Sequence, residues 1–389
     1  MIDFKLKVIL FFLIIPLIVS TKEIKKMEYL ALVKIGNLYG YIDRTGEVII
    51  KPQYKTAFSF KNGLAYAEAE DKIGFINGQG QMIITFNPDH YILNNFFNDK
   101  RACIFRRPRM YMLREERRDD VIVPVDIEIT EGAGFINTAG TIVIEPEYDW
   151  VEDFSEGLAV AAKGAKVIGN NLIEAKGKWG YVTPTGKLAI EMVYEQARSF
   201  HEGMAAVKLN GLWGYINKKG EIVIKPQFSK AFDFSNGLAS VNNGLKYGFI
   251  NKQGKLIIDY KYDSVNDLQD GFIAVNEGAV AEKFIDNEKR VIGGNWFFLN
   301  SNGNIAFEDK YNDIRNYSEG YAFVYYQGEW AIINKKGNKC TPFKYKEAKE
   351  FKNGLAPVKI EDKWGYINIK GEIVIKPLFD DAFEFIEIE

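Results

Sequence analysis

Apolar and polar positions along this chain alternate in short runs, and the runs are separated by glycine. In "GMAAVKLNGLWGYINKKGEIVIKPQF" (203–228) small and β-forming residues come first, then Asn210–Gly211, then "LWGYIN", then "NKKG", then "EIVIKPQF". Runs of this length, rich in Val, Ile, Tyr and Trp and bounded by turn residues, predict strands. We term them a ("GMAAVKL"), b ("LWGYIN") and c ("EIVIKPQF"). Asn-Gly between a and b is a two-residue hairpin signal, because both central positions take positive φ. The b–c junction runs from Asn or Asp to a Gly three residues later, as in Asp43–Gly46, Asn251–Gly254 and Asn368–Gly371, and reads as a type I turn. Pro226 ends strand c, since proline cannot donate to a ladder.

The pattern recurs. The Gly of strand b stands at 40, 74, 134, 180, 214, 248 and 365, and Phe297 and Ala331 hold its place in two degenerate copies. A second marker, the Gly of "F-x-x-G-L-A", follows 23 residues after the first, from Gly40 to Gly63 and from Gly214 to Gly237. Nine units result, beginning near 29, 63, 100, 157, 203, 237, 271, 320 and 354. The return from second marker to first takes 11 residues in compact copies, as from Gly63 to Gly74, and is longer in three. All three insertions, at about 104–128, 164–177 and 277–294, therefore enter the a–b connection.

Strand b carries Trp213 and Tyr215 on one face and Ile216 on the other, so both faces are covered. A three-stranded meander of about 34 residues cannot cover itself, whereas stacking on neighbours can. Gly214 is expected to leave room for a neighbouring aromatic. The expected fold is all-β: nine three-stranded antiparallel meanders in residues 21–389, forming an open β-array or superhelix. Nine three-stranded units match poorly the four to eight four-stranded blades usual in a propeller. A closed propeller-like ring is the alternative.

The recurring Trp-Gly pair, as in "WGYV", "WGYI" and "WGYI" around Gly180, Gly214 and Gly365, resembles the WG-repeat family. The resemblance implies an all-β repeat protein, often exported, and it brings no catalytic residues with it. Ile73 and Ala133 replace the Trp in the second and third copies.

Composition narrows the function. A net charge of -2 gives no overall pull toward nucleic acid. Lys5 and Lys7 precede an uncharged apolar core, Val8 to Val19, which is short for a membrane span. Residues 1–20 read as a signal peptide, placing the rest outside the cytoplasm, whether periplasmic, cell-surface or secreted; an uncleaved segment would be a membrane anchor. Cys103 and Cys340 make no disulfide framework. His90 and His201 are too few for a metal set, and no P-loop or nucleophile elbow occurs. No catalytic residue, cofactor or metal is expected. The Trp residues could stack sugars, but their fixed place in the unit suits core packing.

The first insertion is rich in arginine. Arg106, Arg107, Arg109, Arg114, Arg117 and Arg118 form the candidate binding set, because guanidinium pairs with carboxylate or phosphate in a planar fork. Internal ion pairing with Glu115, Glu116, Asp119 and Asp120 is the other reading of the same segment. The expected function is a non-enzymatic exported scaffold whose rim hairpins bind a protein or surface polymer, an anionic one for the arginines. A structural spacer of the envelope and a glycan-acting hydrolase are the alternatives.

Overall fold

The computed structural model describes residues 29–86, 91–93, 101–106, 132–164, 166–168, 172–174, 177–285 and 288–388. Among the described residues strands a and b form in all nine units and strand c in seven of them. In the fifth unit they are Met204–Leu209, Leu212–Asn217 and Ile222–Phe228. Asn210 and Gly211 take φ of 53° and 80°, the two left-handed positions that their hairpin needs. Asn217 closes the b–c turn: its carbonyl accepts from Gly220 N–H at 2.9 Å, and its Oδ1 accepts from Lys219 and Glu221 N–H.

A fourth strand was hidden in the link. Gln196–Ala197 pairs antiparallel with strand a of the same sheet, through Gln196↔Lys208 and Ala197↔Val207. A second tight hairpin joins the two: His201 bridges Met204 across Glu202 and Gly203, whose φ values are 53° and 80°. The same bridge recurs from Lys61↔Leu64 to Lys352↔Leu355. The unit is therefore a four-stranded blade, ordered inner–a–b–c, and the three-stranded expectation is one strand short.

That strand closes the molecule. Each link supplies the inner strand of the next blade, so the ninth link has no successor and returns to the first. Asp381–Glu387 pairs with Tyr29–Ile35, from Tyr29↔Glu387 to Lys34↔Asp381. Gly36 N–H donates to Asp380 Oδ2 at 2.7 Å beside this joint. Trp364, Tyr366, Ile375 and Phe379 of blade 9 pack on Ala31, Val33 and Ile42 of blade 1. Among the described residues there are nine such seams, each between consecutive blades, and this is the ninth. The open array is thus corrected to a closed nine-bladed ring. Closure covers the two blade faces and the inner-strand vacancy that an open array would leave to water.

One seam shows what holds neighbours together. Tyr215, Ile224 and Phe228 of blade 5 are buried against Ala231, Phe234, Val241 and Ile250 of blade 6. Each large side chain so buried contributes about 1.5–3 kcal/mol. The Tyr215 hydroxyl donates to the Phe232 carbonyl of blade 6 at 2.8 Å. Tyr41, Tyr181 and Tyr366 repeat that bond to Phe58, Arg198 and Phe383. Trp179, Trp296, Trp330 and Trp364 are buried, in keeping with core packing.

The Gly of strand b answers to its own sheet, not to an aromatic. Trp213 stands opposite Phe228 while Tyr215 stands opposite Ile224, so strand c bulges over Gly214. A Cβ at Gly214 would lie 2.5 Å from the Ile224 carbonyl oxygen, and at Gly365 2.6 Å from that of Ile375. Where Phe297 and Ala331 replace the Gly, blades 7 and 8 have no continuous c strand. The segment there pairs with strand b at single bridges, Trp296↔Tyr311 and Leu299↔Ile305, then Trp330↔Tyr345 and Ile333↔Lys339.

Candidate functional site

Chain direction sorts the connections onto two faces. Strand a runs away from the inner turn and b returns, so all a–b connections share one face with the c-to-inner links. The inner turns and the b–c turns share the other. The lengthened a–b connections belong to blades 3, 4 and 7. In blade 7 the hairpin is continuous, Phe272–Ile285 against Glu288–Asn300, and stays paired to Ile285↔Glu288. In blade 4 strands a and b part at Lys163↔Lys178, and a separate ribbon, Lys166–Ile168 with Leu172–Glu174, extends the connection. In blade 3 strands a and b meet at Ala133↔Phe105. Arg107, Arg109, Arg114, Arg117 and Arg118 lie outside the described residues. Arg106 ends strand a of that blade, where its backbone pairs with Tyr91.

The blade 7 hairpin is tied to its neighbour. Asp263 accepts from Gly278 N–H at 2.8 Å, from Ala279 N–H at 3.1 Å, and from Lys246 in the a–b turn of blade 6. Burial works against its charge, but these donors outweigh it and hold the carboxyl below the usual range.

The second candidate is the hub. The link segments read "AFSF", "VEDF", "ARSF", "AFDF", "VNDL", "IRNY", "AKEF" and "AFEF", beginning at 57, 151, 197, 231, 265, 314, 348 and 382. Their first and fourth residues are mostly small and aromatic, and they pack into the seams. Their second and third residues vary and face the axis. Charges two blades apart feel each other there: Asp233 of blade 6 acts on Glu152 of blade 4, and Arg198 of blade 5 on Asp267 of blade 7. Burial raises the carboxyls of Glu152, Asp267 and Glu350. Ser199 Oγ donates to Glu152 at 3.1 Å, and the Asn266 amide donates to Asn316 at 2.9 Å. Arg198 lies over Trp213 and Phe232, Arg315 over Trp330, and Lys349 over Trp364 and Phe383. Sequence reasoning passed over these positions as a link. Their signal was variability confined to two places between fixed residues.

His201 sits on an inner turn, half exposed, 3.5 Å from Asp233. His90 lies outside the described residues. Cys103 is buried, where its Sγ donates to Asp153 Oδ1 at 3.3 Å, and Cys340 is half-buried; neither is in a disulfide. Among the described residues no cluster of His, Cys, Asp or Glu could hold a metal ion, and no helix is long and apolar enough to cross a membrane.

The profile of the WG containing repeat matches residues 39–72, 134–166, 179–213, 213–246, 247–279, 296–330, 330–364 and 364–387. The chain belongs to the WG-repeat family. The matched segments start at or beside the Trp-Gly position, out of phase with the blades, because the family unit is b–c–inner–a. Among solved structures the ring is similar to a crystal structure of the eukaryotic initiation factor, with TM-score 0.60, 12% identity, and 92% of this chain and 97% of that chain covered. It is also similar to the dihydro-heme d1 dehydrogenase NirN, with TM-score 0.47, 10% identity, and 93% and 75% covered. BamB from Moraxella catarrhalis gives TM-score 0.37, 10% identity, and 82% and 96% covered. The first likeness shows a shared fold. No curated protein matches the chain in sequence.

Proposed function

We propose that this WG-repeat ring is a non-enzymatic, extracytoplasmic binding scaffold whose rim hairpins engage a protein or surface polymer. One observation carries the reading: every large departure from the compact repeat falls in the same connection, and hence on the same face of a closed ring. Lengthening confined to one face of a repeat scaffold is how such scaffolds gain a binding face without disturbing the core. Blades 3 and 4 are neighbours, so two insertions flank one another, and the blade 7 hairpin is braced by Asp263. The arginine-rich segment of blade 3 suits an anionic partner.

The test replaces 164–177 and, separately, 278–294 with Asn-Gly turns like Asn210–Gly211, and compares melting with capture of cell-envelope protein and polymer. Melting within a few degrees of the parent, with capture lost in at least one variant, is the expected result. Full capture by both shortened rings and by a chain lacking 107–131 would overturn the rim reading. For the compartment, the expected finding is a mature N-terminus near residue 21 in exported material.

A further inference from the structure

Among the described residues the inner turns of blades 4 to 6 and of blades 7 to 9 are linked across the seams, and Asn236 of blade 6 donates to the Leu268 carbonyl of blade 7 at 3.0 Å. Glu156 accepts from Gly203 N–H, Glu202 from Gly237 N–H, Asp270 from Gly320 N–H and Glu319 from Gly354 N–H, at 2.7–3.0 Å. Asn353 then donates to the Phe385 carbonyl of the closing strand at 2.8 Å. Blade 1 contributes no inner turn, because its inner strand is the end of the described chain and its strand a the beginning. Beside that gap, between the inner strands of blades 1 and 2, lies a cavity of about 750 Å³. This falls in the size range of small-molecule sites.

Its walls differ from those of the seams that hold a cation. In blades 5 and 9 the second link residue is a cation, Arg198 or Lys349, laid between the Trp of its own blade and the aromatic of the next. In blade 1 that residue is Phe383, the Trp is Tyr39, and the next blade offers Phe58; all three line the cavity. Carbon surface thus replaces the cation of those seams, as Phe232 with Tyr247 does in blade 6. Amines stand at the ends: Lys55 where the inner strand of blade 2 begins, and Lys61 and Lys352 on the inner turns of blades 2 and 9. Ser155, Ser235 and Ser318 hold the equivalent turn position elsewhere and bond the next blade, so a lysine there is a departure from the repeat. Glu384 and Glu387 also line the cavity, so three amines stand among two carboxylates.

We propose that the blade 1–blade 2 seam is a binding site for an aromatic or polycyclic organic anion, its rings between Phe58, Phe383 and Tyr39 and its acidic group toward Lys61 and Lys352. The hydrophobic walls supply affinity, and the amines select charge. The site is distinct from the rim hairpins and stands or falls apart from them.

The test is a fluorescence titration of the chain with anilinonaphthalene sulfonate, with neutral phenylnaphthylamine as the uncharged comparison and tetraphenylphosphonium as the cationic one. Expected is saturable binding of one sulfonate per chain, about tenfold tighter than the neutral probe, which is about one charge-assisted contact. Phe58→Asn copies the residue of blade 7 and so is compatible with the fold; it should weaken both probes at least about tenfold. Lys61→Ser with Lys352→Ser copies blades 4 and 6 and should erase the preference for the sulfonate while sparing the neutral probe. Melting and near-ultraviolet dichroism distinguish a folded variant from a collapsed one, and Phe383→Asn provides an independent wall change. Unsaturable binding, binding indifferent to both Phe58→Asn and Phe383→Asn, or tetraphenylphosphonium binding more tightly than the sulfonate would each overturn the proposal.

Discussion

Blades 5 and 8 pair strands a and b in the same register, yet only blade 5 completes its outer edge. Strand b reads "LWGYIN" in one and "EWAIIN" in the other, and the pairing of b with a is equally regular in both. In blade 5 strand c bulges over Gly214, and Trp213 meets Phe228 on the far side of the bulge. In blade 8 the Cβ of Ala331 stands where the bulging backbone would lie, and residues 338–345 make only isolated bridges. Blade 5 has both the Gly and a c segment that bulges over it, and blade 8 has neither. The seam survives in both, because Trp330, Phe323 and Tyr345 still bury against Ala348, Phe351 and Val358. The seam faces carry the stability, and the Gly carries the outer edge.

The largest effect should come from putting the blade 8 residue into blade 5. Gly214→Ala forces the new Cβ against the Ile224 carbonyl, and denaturant titration should show a loss of about 2–3 kcal/mol. An unchanged unfolding midpoint would mean that the bulge is not what selects glycine. Tyr215→Phe should cost less, about 1–2 kcal/mol, since it removes one inter-seam hydrogen bond and strands the Phe232 carbonyl. Phe75, Phe135 and Phe249 occupy the equivalent place in blades 2, 3 and 6, so the variant should fold.

The pH profile sharpens the contrast between hub and rim. Glu152 and Glu350 are raised by burial, so the folded ring holds their protons longer than the unfolded chain does. Their contribution is whole below the unfolded carboxyl range near pH 4 and is lost as pH rises through the raised values. Glu156 and Glu202 behave oppositely. Burial opposes their charge, but Lys218 or Lys252 and a turn N–H outweigh it, so their contribution is present above that range and is lost on acidification. Melting temperature followed across pH should therefore respond on two sides. Glu350→Gln should flatten the neutral-side decline, and Glu202→Gln the acid-side one by a few tenths of a kcal/mol, the scale of an exposed pair. The reverse assignment of the two limbs would contradict the hub placement. The smallest effect belongs to Ala331→Gly, within about 1 kcal/mol, because removing the methyl permits a bulge that the sequence 338–345 does not supply.

Much of this was readable beforehand. Strand b, the Asn210–Gly211 hairpin and the Asn217–Gly220 turn follow from period-two patterning and positive-φ residues, which act over a few positions. The inner strand was not readable: two residues such as Gln196–Ala197 carry no periodicity. Its signal, Glu202–Gly203 before strand a, reads as a hairpin only once Asn62–Gly63 and Asn236–Gly237 are seen to hold the same place. Missing that strand made the unit look three-stranded and the array look open. The hub followed it out of sight, since Glu152, Arg198 and Asp267 come close enough to act on one another only when the links of several blades converge.

Taken alone, the sequence determined the repeat, its strands and turns, the family, and the connection into which all three insertions fall, because each is encoded by local periodicity or spacing. Tertiary structure decided that the ring closes, that its axis is lined by the varying residues of the link, and that a cavity opens where the described chain begins and ends. Those features depend on the angle between successive blades and on the pairing of residues 29–35 with 381–387. Neither quantity is written in any single repeat.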